Sequence, residues 1–590
     1  MTPARAIDKR PKKWILRSRD AAEVREFAKE LGVSPIVAGL LLSRGYGNFE
    51  AAERFLKPTL EQLHDPMLMR GMTGAVARVL HAIDQHEPIL IYGDYDVDGT
   101  TGTAVLLRAL RMLGATCGYH VPHRFTEGYG IQQPALEKAA SEGYKLVVSV
   151  DCGIRAHEPL VWARENGLDV IITDHHLPDE DEGAPPAFAV LNPNQHGCNY
   201  PDKNLAGVGV AFKLVHALFR ERGRESVVPG FLKMVAIGTV ADVAKLIGEN
   251  RAIVALGLSD LPKAVNYGLR ALIDIAGCGD GAEMNAYDLG FRIGPRINAA
   301  GRMDAASAVV DLFNATDREE ARRLAEHLDT RNRERMEMQR EIFNRAVEEF
   351  ETGTERASQT HVAVIAGDGW HRGVIGLAAS KIAERLNRPC VVISIEDDMG
   401  HGSARSIEAY HLFNGLTACS DLFEKFGGHS HAAGLSIRRE CVPEFRRRLN
   451  EHAASCLTEE DLTPAITIDA EVGANDLTFA LSQDLRQMEP FGAGNPRPVF
   501  LTRGLRVLGD PKVIKEQHLK FRIAGENNRP LEAIWWRGLE ESTATPQPGQ
   551  RIDLAYEFET QTWMGDIRLQ LNVRDMRDSQ RENFAADERG

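Results

Sequence analysis

The chain has 590 residues, 43% of them hydrophobic and 26% charged, with a formal net charge of −14. That length exceeds what one hydrophobic core supports and implies several domains, while the acidic balance excludes a general pull toward nucleic acid and leaves only a local basic groove for a polyanion. Eight cysteines without a C-x-x-C pair argue against zinc ribbons and a disulfide framework, no apolar run reaches membrane-spanning length, and the basic start Met1–Lys13 has no apolar stretch behind it; a reducing cytoplasm is the expected location.

Residues 1–50 read as a helical segment with a polar start. Lys12, Lys13 and Arg17 flank Trp14, a pattern that belongs to ordinary surface and packing more often than to nucleic-acid contact. A helix over Ala75–Ile83 leads into Ile89–Tyr92, a short buried strand, and then into Gly93-Asp94-Tyr95-Asp96-Val97-Asp98-Gly99. Thr100 and Thr101 are expected to cap a helix over Ala104–Leu113. The three carboxylates then share the turn at the C-terminal end of a strand, where open α/β sheets place their ligands. Such a cluster repels itself unless cations neutralise it, which favours divalent metal over a solvated acidic turn or a lone calcium loop.

The strand–helix rhythm continues. Tyr144–Val150 ends at Asp151, Leu168–Thr173 ends at Asp174-His175-His176, and the apolar run from Met234 closes on Asp242. Alternation of this kind implies a parallel sheet with right-handed crossovers. One strand ending in Asp means little, because Asp is a common turn and cap residue, but the repetition marks a site. Carboxylate and imidazole without thiolate suit Mn²⁺ or Mg²⁺, and two ions sharing a carboxylate activate water against a phosphate ester. The Gly-rich loop 120–130 carries Arg124, and Gly294–Arg302 joins Arg296 and Arg302 to small residues. Arginine matches phosphate geometry, although either stretch alone reads as structural at least as readily.

Thr316 with Glu319 makes a capping box that opens a charged helix running to about Phe350, with a thin apolar stripe typical of a connector. Arg331, Arg333, Arg335 and Arg340 on it read mainly as a salt-bridged face. A second α/β unit follows, with the strand Val362–Ala366, the loop Gly367–Gly376, the strand Cys390–Ile395, the turn Gly402–Ser406 and Phe426–Gly434. From about Pro464 the pattern changes to short alternating strands, Ile466–Ile468, His518–Ile523, Ile552–Phe558 and Ile567–Val573, which suggest a small barrel of OB type. Trp535, Trp536 and Trp563 are available there as stacking platforms, with one or two of them expected in the core.

In order, Gly93–Gly99, Val150-Asp151-Cys-Gly, Asp174-His-His and Gly238-Thr-Val-Ala-Asp242 resemble the four motifs of the DHH phosphoesterase superfamily. Arg372-Gly-Val-Ile-Gly, Gly402–Ser406 and Gly427–Gly434 resemble its DHH-associated second domain. Glu489-Pro-Phe-Gly-Ala-Gly-Asn-Pro and the barrel-like segment are similar to a bacterial branch of single-strand-specific 5′→3′ DNA exonucleases. The likeness covers about residues 50–575. It implies an α/β fold with two α/β lobes joined by a long helix, plus a small OB-like β-barrel. The corresponding boundaries are an N-terminal helical segment 1–50, a DHH domain 51–314, a connector helix 315–352, a DHH-associated domain 353–460, an OB-like domain 461–578 and a polar tail 579–590.

The resemblance also implies roles. Asp94, Asp96, Asp98, Asp151, His175 and Asp242 would hold two divalent ions, Mn²⁺ preferred with Mg²⁺ as the alternative, and Asp151 would bridge them. Asp174 would orient a ligand and His176 would approach the scissile phosphate. Arg124, Ser403 and Arg405 would hold the 5′-terminal phosphate, Arg296 and Arg302 would track the strand, and Arg372 and His429 would also bind substrate. The implied activity is metal-activated hydrolysis of single-stranded DNA from a free 5′ end to mononucleotides, in repair and recombination. The implied partners are a single-strand-binding protein and a helicase, and the implied state is a monomer. One alternative is a DHH phosphodiesterase acting on short oligonucleotides or cyclic dinucleotides, which would need neither barrel nor long connector. The other is a non-catalytic nucleic-acid-binding replication factor, which would require lost ligands. Ala244-Lys245 stands where such sequences often have Val-Pro, implying a local change of turn.

Overall fold

The computed structural model describes residues 11–579 except 180, 280–282, 304–305, 353–359, 527–528, 543 and 564–565. The first ten residues of the expected N-terminal segment, the tail from 580 and the side chain of Trp563 therefore lie outside the described residues. The chain divides into two compact units, one of Glu50–Glu334 with Gln487–Pro496, the other of Met1–Phe49, Arg335–Arg486 and Arg497–Gly590.

The first unit is built on five parallel strands: β1 (Ile89–Gly93), β2 (Cys117–His120), β3 (Leu146–Val150), β4 (Asp169–Thr173) and β5 (Ala189–Leu191). They lie in the order β2-β1-β3-β4-β5. The chain leaves β1 for one neighbour and returns to the other, so the C-terminal ends of β1 and β3 flank a switch point, the place where doubly wound sheets bind ligands. β1 and β3 are buried along their whole length, as strands covered on both faces require.

Helix α1 (Val97–Met112) follows β1, and α2 (Gly207–Glu221), α3 (Leu232–Ala241) and α4 (Gly294–Met303) complete the side of the unit that carries the site. The start of α1 corrects the expected cap. Asp96, not Thr100, is its N-cap, accepting from the backbone N–H of Gly99 at 3.0 Å, and Thr100 and Thr101 lie inside the helix with their hydroxyls turned back onto the carbonyls of Asp96 and Val97. The segment Gln487–Pro496, which holds the Glu489-Pro motif, belongs with this unit rather than with the barrel. Arg251, almost fully buried, donates to the carbonyls of Met488 (3.1 Å) and Glu489 (2.7 Å), and the Leu246 N–H donates to Ala493 O (2.7 Å), so the motif braces the chain just beyond Asp242.

The long helix α5 (Arg318–Thr352) starts in the first unit and ends in the second. Asp317 caps it, accepting from the N–H groups of Glu319 and Glu320 at 2.8 and 2.9 Å, in place of the expected Thr316. The second unit holds a mixed sheet of β6 (Ala363–Asp368), β7 (Cys390–Glu396), β8 (Met399–Arg405), β9 (Phe423–Gly428) and β10 (Ala432–Arg438), in the order β9-β10-β8-β7-β6. Helix α6 (Arg372–Leu386) packs on β7 and β8. The stretch read as a turn at Gly402–Ser406 is mostly strand β8, where the bare Gly402 lets Leu435 and Ile393 close over the sheet.

The barrel comprises β11 (Val499–Ile514), β12 (His518–Ala524), β13 (Pro530–Trp535), β14 (Arg551–Trp563) and β15 (Asp566–Asp578), and pairing of β11 with β14 closes it. Ile466–Ile468, expected in the barrel, instead pairs in parallel with Lys13–Leu16. Trp535 is a core residue at 1% exposure while Trp536 is 51% exposed. Trp14 is buried, donates to Asp575 at 2.7 Å and carries Arg577 over its ring, so its role is packing.

Candidate metal centre and phosphate sites

The switch point gathers the acidic and imidazole residues of all four motifs. Asp94 follows β1, Asp151 follows β3, His175 and His176 follow β4 by way of Asp174, and Asp242 is the C-cap of α3. Three overlapping sets place one ligand atom from each member within 4.8 Å of the others: Asp94, Asp96 and Asp151; Asp98, His175 and Asp242; Asp151, His175 and His176. Asp151 and His175 each belong to two sets. His175 Nε2 lies 3.2 Å from Asp151, 3.9 Å from Asp98 and 4.0 Å from Asp242.

The local chain explains the crowding. Asp151 takes a left-handed backbone conformation, φ 61°, which Asp tolerates better than most residues. Gly207 opens α2 directly against it, where a Cβ would come within 2.6 Å of the Asp151 Cβ, and Gly99 meets Asp94 in the same way. The N–H groups of Gly207 and Val208 donate to the two oxygens of Asp98 at 2.6 and 2.8 Å, a helix N-terminus fixing an anion. Asp174 accepts from the N–H groups of Ile154 (3.0 Å), His175 (2.7 Å) and His176 (3.1 Å) and from the ring of His176 (2.7 Å). Asn192 and Asn194, just beyond β5, donate to the carbonyls of His176 and His175 at 2.8 and 2.7 Å.

The charge is uncompensated. Burial, then the neighbouring Asp96, pushes Asp94 up to about 8 and Asp98 up to about 7, while burial with Asp98 and Asp96 pushes Asp242 up to about 9. Burial and the Asp98 charge hold Asp151 well above the usual carboxylate range. Burial and the charge of His176 lower His175 to about 4, leaving a neutral imidazole of the form that ligates metal. Burial also works against ionisation of Asp174, yet the His176 ring bond and the backbone donors hold it low; the same pair resists the effect of burial on His176 and raises it.

Asp94 Oδ1 and Asp151 Oδ1 are buried without a hydrogen-bond partner. Orphaned carboxylate oxygens beside a neutral imidazole are the signature of a cation site, and these residues fit divalent metal ions. A cavity of about 300 Å³ opens on the cluster, lined by Asp94, Asp96, Asp98, Asp242, Tyr95, Arg124, Tyr129, Asn298 and Arg302 among others.

Of the basic residues singled out in the sequence, Arg124 and Arg302 reach this cavity, with Arg124 5.1 Å from the Tyr95 ring centroid. Arg296 does not line it. Its Nε is 2.9 Å from Asp329 on α5. Arg372 spends its fork on Glu396, at 2.9 and 2.5 Å. In the second unit Ser403 and Arg405 lie on β8, with Arg405 donating to Ser403 Oγ (3.2 Å) and Ala404 O (2.8 Å). Gly376 of α6 leaves them room, since a Cβ there would stand 3.0 Å from Ser403 Oγ and 3.3 Å from Arg405. His429 sits in the β9–β10 turn, its N–H donating to Ala432 O at 2.8 Å.

Asn192, Asn194 and Arg251 were not singled out by sequence reading, and Tyr129 and Asn298 were passed over within stretches that were. The one signal for the first two is an Asn-Pro-Asn run at the end of a fifth strand.

Sheet order, switch-point acids and paired histidines define a chain of the DHH class, and the description "DHH family, N-terminal domain" matches residues 88–239. A DHHA1 domain matches 359–455 and the RecJ OB domain matches 468–575. The single-stranded-DNA-specific exonuclease RecJ of Bacillus subtilis is 40% identical over 95% of this chain and 70% of its own length. The RecJ of Escherichia coli is 35% identical over 95% of this chain and 98% of its own. The crystal structure of RecJ in complex with Mn²⁺ from Thermus thermophilus superposes with a TM-score of 0.81 at 30% identity, covering 96% of this chain and 79% of that one, and the Mg²⁺ complex with 0.76. This chain belongs to the RecJ family.

Proposed function

We propose that the chain is a metal-dependent exonuclease that degrades single-stranded DNA from a free 5′ end to mononucleotides. The observation that carries this is the set of three overlapping acid–imidazole groups, with two orphaned carboxylate oxygens, at the switch point of a RecJ-family chain. Asp94, Asp96, Asp98, Asp151, His175 and Asp242 hold two divalent ions, with Asp151 shared. When bound, such ions lower the pKa of a water and offset charge gathering on the phosphate.

The chain's own groups orient the substrate. Asp174 binds the His176 ring at Nδ1 and favours its protonated form, orienting the imidazole that would meet the scissile phosphate. Arg124 and Arg302 grip phosphates at the cavity. Ser403 and Arg405 take the 5′-terminal phosphate, and the closed barrel carries single strand by backbone and stacking contacts. Arg296 and Arg372 act mainly through their carboxylate partners, as supports. Repair and recombination, in the cytoplasm, with a single-strand-binding protein and a helicase as partners of a monomer, complete the reading. Among the described residues no helix is long and apolar enough to cross a membrane.

The test is Mn²⁺-dependent release of mononucleotides from an end-labelled single strand, against a hairpin with no free 5′ end. Release from the strand alone is expected. Equal digestion of both, or cleavage only of dinucleotides, overturns it.

A further inference from the structure

Tyr287 and Phe291 are the two most exposed aromatic side chains among the described residues, at 61% and 69%. Their rings stack, with centroids 4.7 Å apart and planes 25° from parallel. Phe291 lies on the π-helical turn Asp288–Ile293 and Tyr287 immediately precedes it; turns of this kind are frequent at functional sites. The turn is held firmly. Arg292 pairs with Asp288 at 3.0 Å and donates to Ala276 O at 3.2 Å, while Asn285 Oδ1 accepts from the N–H groups of Tyr287 (2.9 Å) and Asp288 (3.3 Å).

The turn runs without a break into α4, whose Asn298 and Arg302 line the catalytic cavity. Seven residues bring Asn298 back to the side of the helix that carries Phe291, to within about a sixth of a turn, and roughly 10 Å further along the axis. Between them stands Gly294, where a Cβ would come within 3.1 Å of Ala241 at the end of α3. Platform and cavity residues are thus carried by one continuous helical segment.

We propose that Tyr287 and Phe291 form a stacking platform for an unpaired nucleobase of the strand that enters the cavity. The proposal rests on the nuclease reading above and deepens it. An unpaired, splayed base offers a face to an aromatic ring, whereas a base inside a duplex has both faces covered by its neighbours, so the platform selects single strand.

The test uses full-length wild type, Phe291→Ala, Tyr287→Ala and Phe291→Trp, in chelator, with a twelve-residue oligothymidylate and an abasic strand of equal length as probes. Each alanine variant is expected to weaken oligothymidylate binding by roughly five- to fiftyfold, with abasic binding and the salt slope unchanged, since no phosphate contact is lost. The added tryptophan should be quenched by oligothymidylate and not by the abasic strand. Wild-type affinity in both alanine variants with an unquenched tryptophan overturns the platform, and leaves the face to a protein partner or to none. Hydrolysis of thymidine 5′-monophosphate p-nitrophenyl ester by the wild type, which engages the cavity alone, is scored separately. Its failure with Mn²⁺ would count against the nuclease reading, while the binding series still decides the platform.

Discussion

Asp151 carries a buried oxygen with no hydrogen-bond partner and a carboxyl that burial and Asp98 hold far above its ordinary range, so replacing it acts in opposite directions on stability and activity. Asp151→Asn would remove the proposed shared ligand, and Mn²⁺-dependent hydrolysis should fall by more than the roughly 10- to 100-fold typical of losing an outer partner. In chelator at alkaline pH the same variant should melt higher than wild type, because a carboxyl whose ionisation burial and Asp98 oppose is gone. Calorimetry with and without Mn²⁺ reads both effects, and undiminished turnover in a folded variant would sink the shared-ligand assignment. At Arg405 the expectation concerns the strand end. A charge-assisted bond is worth about 1.5–3 kcal/mol, so Arg405→Ala should slow single-turnover cleavage of 5′-phosphorylated strands by roughly tenfold or more. The loss on 5′-hydroxyl strands should be far smaller, and Arg405→Lys should recover only part, lacking the planar fork. Equal losses on both substrates would assign Arg405 to folding or internal phosphates.

Between α4 and α5, Arg296 and Asp329 form a pair with side chains only 17% and 5% exposed. Leaving one member of a buried pair alone costs on the order of 3–5 kcal/mol, but Asp329 keeps a second partner in Arg333 at 2.5 Å, so Arg296→Ala should cost less than that, about 2 kcal/mol, in chemical denaturation. The double variant with Asp329→Ala should regain part of it. Unchanged stability with a shallower salt slope for DNA binding would return Arg296 to the strand. The same pair shows where sequence reading stops. Three of the five strands of the catalytic sheet, β1, β3 and β4, were legible to within a residue or two, because short apolar runs end abruptly at Gly and Asp, whereas the short β2 and β5 were not read. The partner of an arginine was not, since Asp329 is one of many acids on a charged helix. The start of α1 was misplaced for a related reason: Val97-Asp98-Gly99 has poor helix propensity, and only the approach of Asp94 to Gly99 and of α2 to Asp98 makes it a first turn. The motif residues of the centre stand out through their chemistry, whereas Asn192 and Asn194 act through backbone carbonyls, a role that residue type alone does not announce.

For the molecule as a whole, the raised carboxylates set a pH dependence. Burial and the neighbouring carboxylates push Asp94, Asp98 and Asp242 up to about 8, 7 and 9 in the folded chain, against about 4 in an unfolded one. The folded form therefore binds more protons across that interval. The stability these three groups contribute is fully present below about pH 4 and is lost progressively as pH rises toward 9. In chelator the catalytic unit should melt several degrees lower at pH 8.5 than at pH 5.5, since about 1 kcal/mol moves a domain's midpoint by roughly 2–4 °C. Mn²⁺ should abolish or reverse that slope by binding the deprotonated ligands, and a flat profile in chelator would mean the carboxylates ionise freely without metal. The wide spacing of the proposed ligands, from Asp94 to Asp242, has a consequence for biosynthesis. Chains emerge from the ribosome N-terminus first and fold domain by domain, and non-local parallel pairing is slow. Asp242 closes α3, well after every strand of the sheet has been made, so the centre stays incomplete until that helix has emerged and docked. A growing polypeptide therefore carries no finished nuclease centre while the sheet is still assembling, and competence arrives with the last ligand as a late step of maturation.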